Sequence, residues 1–209
     1  MKNPWLEIPV FDYESHMFEV GQSHILGLLT QQALKRYQPE TFFLPGCASG
    51  NGLEFIDNSV TSQVFALDIN PDYLRIAELK YRHLIPKFHA ICCNLEIDKL
   101  AVKNIDLAFC GLVLEYVNPS IVLPKIINTL KSDGNLVIVI QKNNNASFVS
   151  KTKYTSLQKL SQIAEDLAPE EIDAICRQQG LLKIHSDEVP VNDNKAFLVM
   201  DYKKCEPVR

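Results

Sequence analysis

The chain has 209 residues, 46% of them hydrophobic, and a formal net charge of −4. This length holds one large domain with a substantial core. The acidic balance, with no run of five like charges, argues against a nucleic-acid face; Lys151, Lys153 and Lys159 are the nearest approach to a basic patch. No apolar stretch reaches the roughly 18 residues of a membrane span, and Met1 to Trp5 carries no secretory apolar region. Six cysteines occur without a CxxC pair or a histidine in zinc spacing. They read as reduced thiols of a cytoplasmic protein without a metal site.

Trp5 to Tyr13, preceded by Pro4, mixes aromatics with Pro9 and reads as an irregular arm. From His16 to Tyr37, Val20, Ile25, Leu28, Leu29 and Leu34 recur near helical spacing, and Pro39 closes that helix. Thr41 to Leu44 is the first strand, with Pro45 at its exit. A glycine-rich turn, Gly46-Cys47-Ala48-Ser49-Gly50-Asn51-Gly52, leads into a helix expected from about Asn51 to Asp57. The second strand, Val64 to Leu67, ends at Asp68, 22 positions after Gly46.

Asn70-Pro71 combines a capping side chain with proline at the first helical position and opens a helix to about His83. Phe88 to Cys93 is the third strand and Ile105 to Cys110 the fourth; the latter is nearly all apolar, as in a strand covered on both faces. Asn118-Pro119 starts another helix, which Pro124 is expected to kink. Asp133-Gly134 reads as a turn before the fifth strand, Asn135 to Ile140. A polar loop, Asn143-Asn144-Asn145, precedes a helix over Thr155 to Leu167, and Pro169 begins a further helix that stops at Gly180. Leu181 to His185 and Ala196 to Tyr202 close the chain as paired strands around Asn192-Asp193-Asn194. Strands alternating with helices predict an α/β fold: a Rossmann-like, doubly wound, seven-stranded, mostly parallel sheet with an antiparallel C-terminal hairpin strand. The whole chain, 1–209, reads as one domain, with an N-terminal arm and helix (1–38) and an insertion (143–167) placed to cover a substrate.

Strand, glycine turn, helix, strand and acid is the layout of a nucleoside-binding βαβ unit. Glycine lets backbone approach a ligand closely, and a carboxylate about twenty residues on can accept from both ribose hydroxyls. The glycines at 46, 50 and 52 with Ala48 make G-x-A-x-G-x-G, which departs from the dinucleotide pattern G-x-G-x-x-G. Alanine at 48 is a small change where φ is negative.

Leu44 to Gly52, Ala66-Leu67-Asp68-Ile69-Asn70, Ile105 to Cys110 and the hairpin after Gly180 together resemble the class I S-adenosylmethionine-dependent methyltransferases over residues 37–203. The resemblance implies S-adenosyl-L-methionine as cofactor. Gly46, Cys47, Ala48, Gly50 and Gly52 would form the turn around it, and Asp68 would hold the ribose. Ile69, Asn94 and Leu95 would meet adenine, with Cys110 beside the methionine. Leu44 stands where the family usually carries an acid that helps hold the methionine amino group. Along Cys110 to Tyr116, Glu115 can serve as a general base and Tyr116 can orient substrate. Tyr13 can set its ring against the sulfonium, and His16 is a further candidate base. The acceptor is expected to be a small molecule, with neither nucleic acid nor membrane as partner. Two alternatives stand beside methyl transfer: a catalytically silent module that binds the same cofactor, and a nicotinamide-dependent oxidoreductase.

Overall fold

A computed structural model describes residues 3–144 and 146–205. Seven strands form one sheet in the order β3-β2-β1-β4-β5-β7-β6. They are β1 (Thr41–Pro45), β2 (Gln63–Asp68), β3 (Lys87–Cys92), β4 (Ile105–Gly111), β5 (Leu130–Asn143), β6 (Leu181–Asn192) and β7 (Lys195–Lys204). β7 runs antiparallel to both neighbours, and every other pairing is parallel. The expected architecture is therefore the observed one.

Side-chain alternation along the strands creates two cores. Phe42 and Leu44 of β1, with Val64, Ala66, Leu107 and Phe109, face α2 (Gln22–Tyr37) and α3 (Pro71–Tyr81). Phe43, Leu67, Ala108, Cys110 and Ile138 face the other way, under α4 (Pro119–Ile127) and α5 (Pro169–Gln178). Helices on both faces bury the central strands completely, which explains why β4 reads as an unbroken apolar run.

Several elements differ from the sequence reading. The arm is not irregular: Asn3 caps a 3₁₀ turn at Pro4–Glu7, and α1 runs Val10–Glu19. The single helix expected over 16–37 is two helices, α1 and α2, broken at Gly21, whose φ of +77° cannot continue a right-handed helix. Between β1 and β2 the expected helix shrinks to a 3₁₀ turn, Leu53–Phe55, because Gly50 and Gly52 both hold positive φ. The Thr155–Leu167 helix is likewise 3₁₀, over Thr155–Gln162. Asp133-Gly134 lies in an irregularity within β5, where the register with β4 shifts between Ile105 and Leu107. β5 also extends through Asn143, into the expected loop; Asn145 of that loop lies outside the described residues. The closing hairpin is longer than expected and turns at Asp193-Asn194.

A third, smaller core lies beyond the sheet. Ile8 of the arm packs with Val149, Leu157 and Leu160 of the 143–167 segment, alongside Trp5, Tyr13, Tyr116 and Phe148. Arm and insertion are further joined by Ser156 Oγ donating to Asp12 (2.6 Å), by His16 Nδ1 against Thr152 Oγ1 (2.9 Å) and by an ion pair of Lys159 with Glu7 (2.7 Å).

Candidate active site

In an open α/β sheet the natural crevice lies outside the C-terminal ends of the strands, where the strand order reverses. Here that point lies between β1 and β4. Gly46, leaving β1, has φ +70°, and a Cβ on it would come within 2.6 Å of Val113 Cγ2. Glycine is therefore what lets this turn lie against the loop leaving β4.

Ala48 also sits in the left-handed region, at φ +46°, so the negative φ that would make alanine a small change does not hold. An L-residue there costs about 1–2 kcal/mol. Its N–H donates to Asp68 Oδ2 at 2.8 Å, and the Asn70 N–H donates to Oδ1 at 2.8 Å. Hydrogen bonds to a charged group contribute about 1.5–3 kcal/mol, enough to offset the strain. Asp68 is buried, and burial raises its pKa to about 6 despite the backbone donors from Asn70, Ala48 and Ile69, which pull the other way.

Asp68 lines a cavity that opens beside the Gly46–Ala48 turn. Its other walls bring together Gly46, Ala48, Ile69, Asn94, Leu95, Tyr13 and Tyr116, all singled out in the sequence. The remaining sequence candidates lie elsewhere. Cys47 is buried in the core under α2 and α3, and Cys110 is fully buried on the opposite face. Gly50 and Gly52 serve packing: a Cβ on either would lie 2.6 Å from the Tyr81 ring or the Thr30 side chain. The Asn94 amide oxygen already accepts the Glu96 N–H at 2.9 Å.

Glu115 does not line the cavity. It is buried, its Oε1 accepts the Gln141 N–H at 2.7 Å, and its Oε2 has no partner. Burial raises its pKa to about 7. His16 too is buried away from the cavity, and burial lowers its pKa.

The sequence reading found Tyr13 and Tyr116 but missed Trp5, which joins them in the roof of the cavity. Trp5 stands edge-on to Tyr116 at 4.9 Å between centroids and to Tyr13 at 5.7 Å, and Tyr13 lies 5.4 Å from Tyr73. The Trp5 carbonyl accepts from Asn70 Nδ2 at 2.8 Å, tying the arm to the second residue beyond Asp68. Burial raises the pKa of Tyr13 and Tyr116 well above the ordinary phenol, so both hydroxyls keep their protons at neutral pH. Asn3, Leu112, Val113 and Val117 complete most of the lining; its carboxylates are Asp68 and Glu96, and no Lys, Arg or His lines it among the described residues.

The family model described as a methyltransferase domain matches residues 44–138, from the last apolar residues of β1 through most of β5. That segment is therefore similar to a methyltransferase domain. The nicotinamide alternative falls with that match. No curated protein sequence matches the chain.

Solved structures match its fold. The [4+2]-cyclase SpnF superposes with a TM-score of 0.67 at 14% identity, over 87% of this chain and 82% of that one. The N-methyltransferase NodS from Bradyrhizobium japonicum WM9 gives 0.64 at 14%, over 90% and 97%. A Haemonchus contortus phosphoethanolamine N-methyltransferase gives 0.72 at 14%, over 94% of this chain and 57% of that one. At these identities the likeness is one of fold. That a cyclase shares the fold means the acceptor chemistry of this chain must be argued from its own site.

Proposed function

We propose that the cavity between β1, β2 and β4 holds S-adenosyl-L-methionine and that the methyl group passes to a small organic acceptor in the cytoplasm. The observation that carries this reading is the convergence of the Gly46–Ala48 turn, Asp68 and Asn94-Leu95 on one cavity roofed by Trp5, Tyr13 and Tyr116. Asp68 keeps acceptor capacity beyond its backbone donors, Ala48, Asn70 and Ile69, so it can accept from the ribose. Ile69 and Leu95 offer apolar surfaces for a flat base. Leu44 is buried in the core, so the acid that relatives usually place there has no counterpart at that position, and the aromatic roof takes a larger share in holding the cationic end of the cofactor.

The bound sulfonium supplies an activated methyl group, so the protein's tasks are alignment and exclusion of water. The arm excludes water from above. Tyr13 and Tyr116, protonated at neutral pH, donate hydrogen bonds that orient the acceptor and do not remove its proton. Of the two carboxylates in the lining, Asp68 is assigned to the ribose and Glu96 accepts the Asn118 N–H at 3.0 Å, which favours an acceptor that presents a lone pair unaided, such as a neutral amine. Transfer to such an amine would form the nitrogen–carbon bond as the methyl carbon–sulfur bond breaks, with that electron pair staying on sulfur, and the proton shed by nitrogen would go to solvent.

The test is formation of S-adenosylhomocysteine when the full chain is given S-adenosylmethionine and a panel of small amines, alcohols and carboxylic acids. Turnover confined to amines is the expected result. Tight cofactor binding without turnover on any acceptor would favour the silent binding module, and absence of cofactor binding would overturn both readings.

A further inference from the structure

Beside the methyl-transfer cavity lies an open cleft between the start of α4, the outer face of α5 and the end of the 143–167 insertion. The two spaces share three wall residues, Glu96, Tyr116 and Val117. Four glutamates, Glu96, Glu115, Glu165 and Glu171, line the cleft, and no Lys, Arg or His does so among the described residues. Lys125 lies behind Glu96, with its ammonium held by the carbonyls of Leu95, Glu96 and Asp98.

These glutamates differ in their commitments. One Glu96 oxygen accepts the Asn118 N–H at the start of α4 (3.0 Å). Glu165 and Glu171 are exposed, and their side chains make no hydrogen bond or ion pair among the described residues. Glu115 is 1% exposed, and its Oε2 lacks any donor. A buried carboxylate oxygen left unpaired costs about 1–3 kcal/mol or more, so Glu115 marks a place where a donor is missing. Asp166 adds further negative potential near it.

We infer that this cleft anchors an organic ammonium group, the far end of an acceptor whose near end enters the aromatic-roofed cavity. The inference rests on the methyltransferase reading above and narrows its acceptor to an aliphatic polyamine. Among the described residues no group of three or more His, Cys, Asp or Glu is placed to hold a metal ion, so the carboxylates suit an organic cation. The apolar walls supplied by Val117, Ile163, Leu167 and Ile172 suit the methylenes between two ammonium groups. The missing donor at Glu115 Oε2 is one that an ammonium N–H supplies.

The experiment is calorimetric titration of the full chain, saturated with S-adenosylhomocysteine, with spermidine. Saturable binding is expected, weakened about 5- to 10-fold by Glu165→Gln with Glu171→Gln. It should be weakened again by Glu115→Gln, whose amide oxygen can still accept the Gln141 N–H; a thermal melt checks that this variant folds. Glu40→Gln with Asp133→Asn makes the same charge change elsewhere on the surface and is expected to leave binding intact. No saturable binding, or equal weakening by the control pair, overturns the assignment. Since S-adenosylhomocysteine binding is measured first, its failure would indict the cofactor reading, whereas its success with a spermidine failure would indict the cleft alone.

Discussion

The Ala48 N–H donates to Asp68 Oδ2 at 2.8 Å, so the carboxylate expected to grip a ribose is also the brace of the turn expected to surround the rest of the cofactor. Removing Asp68 therefore has a structural cost as well as a binding cost. Asp68→Ala leaves the N–H groups of Ala48 and Asn70 without their acceptor, at about 1–3 kcal/mol each. Asp68→Asn retains one acceptor oxygen. Urea unfolding should rank the proteins native, Asn variant, Ala variant, with the Ala variant lower by several degrees in a thermal melt. Identical stability of all three would show that the turn does not rely on this side chain.

The glycines of the turn separate by location. Gly50→Ala and Gly52→Ala each combine a left-handed φ with a Cβ 2.6 Å from a packed side chain, Tyr81 or Thr30. Each should destabilise by about 2–4 kcal/mol and leave the cofactor affinity of the remaining folded protein intact. Ala48→Gly runs the other way, relieving strain at φ +46° and holding or raising stability by up to about 1 kcal/mol. Chemical denaturation of the three variants checks the contrast; a destabilised Ala48→Gly would contradict it.

Two buried carboxyls give opposite pH slopes to binding and to stability. Asp68 releases its proton near pH 6 in the native state and near 3.8 when unfolded; for Glu115 the values are about 7 and 4.5. Between each pair of values the native state binds the extra proton, so each group's stabilisation is present at low pH and is lost as pH rises. For Glu115 the loss is on the order of 3 kcal/mol. The stability of native protein relative to Glu115→Gln should therefore fall between pH 4.5 and 8. Cofactor affinity should rise over pH 5 to 7 as Asp68 ionises. A relative stability that is flat or rising with pH would contradict the placement of Glu115.

Trp5 is the only tryptophan in the sequence, and it stands in the cavity wall against Tyr13 and Tyr116. Titration with S-adenosylhomocysteine should change its fluorescence intensity or emission maximum in a saturable way. Emission that stays constant while calorimetry records binding would remove the arm from the site.

Much of this arrangement was readable in the chain, and the failures have physical causes. β1, β2 and β4 are short apolar runs bounded by turn residues, and the glycine turn and Asp68 follow from their ends. The arm was misread because Pro4 and Pro9 look like breakers, whereas they precede or open helical turns, where a missing N–H costs nothing. Trp5 reaches the site, and Tyr73 packs behind Tyr13, through tertiary folding, and no local pattern announces that. Glu115 and Tyr116 were assigned to one site as sequence neighbours. In a 3₁₀ turn successive side chains diverge by about 120°, so Tyr116 faces the cavity and Glu115 is turned toward Gln141. The helix expected after the turn failed because positive φ at Gly50 and Gly52 outweighed the pattern that followed.

The central claim is that Asp68 holds the sugar of an adenosyl cofactor in the cavity beside Gly46 and Ala48. Calorimetric titration with S-adenosylhomocysteine at pH 8, on native protein and on Asp68→Asn shown to be folded, tests it most directly. The account predicts saturable one-to-one binding by native protein and an affinity at least about tenfold weaker in the variant. Equal affinity in the two proteins, or no binding by the native chain, would contradict it.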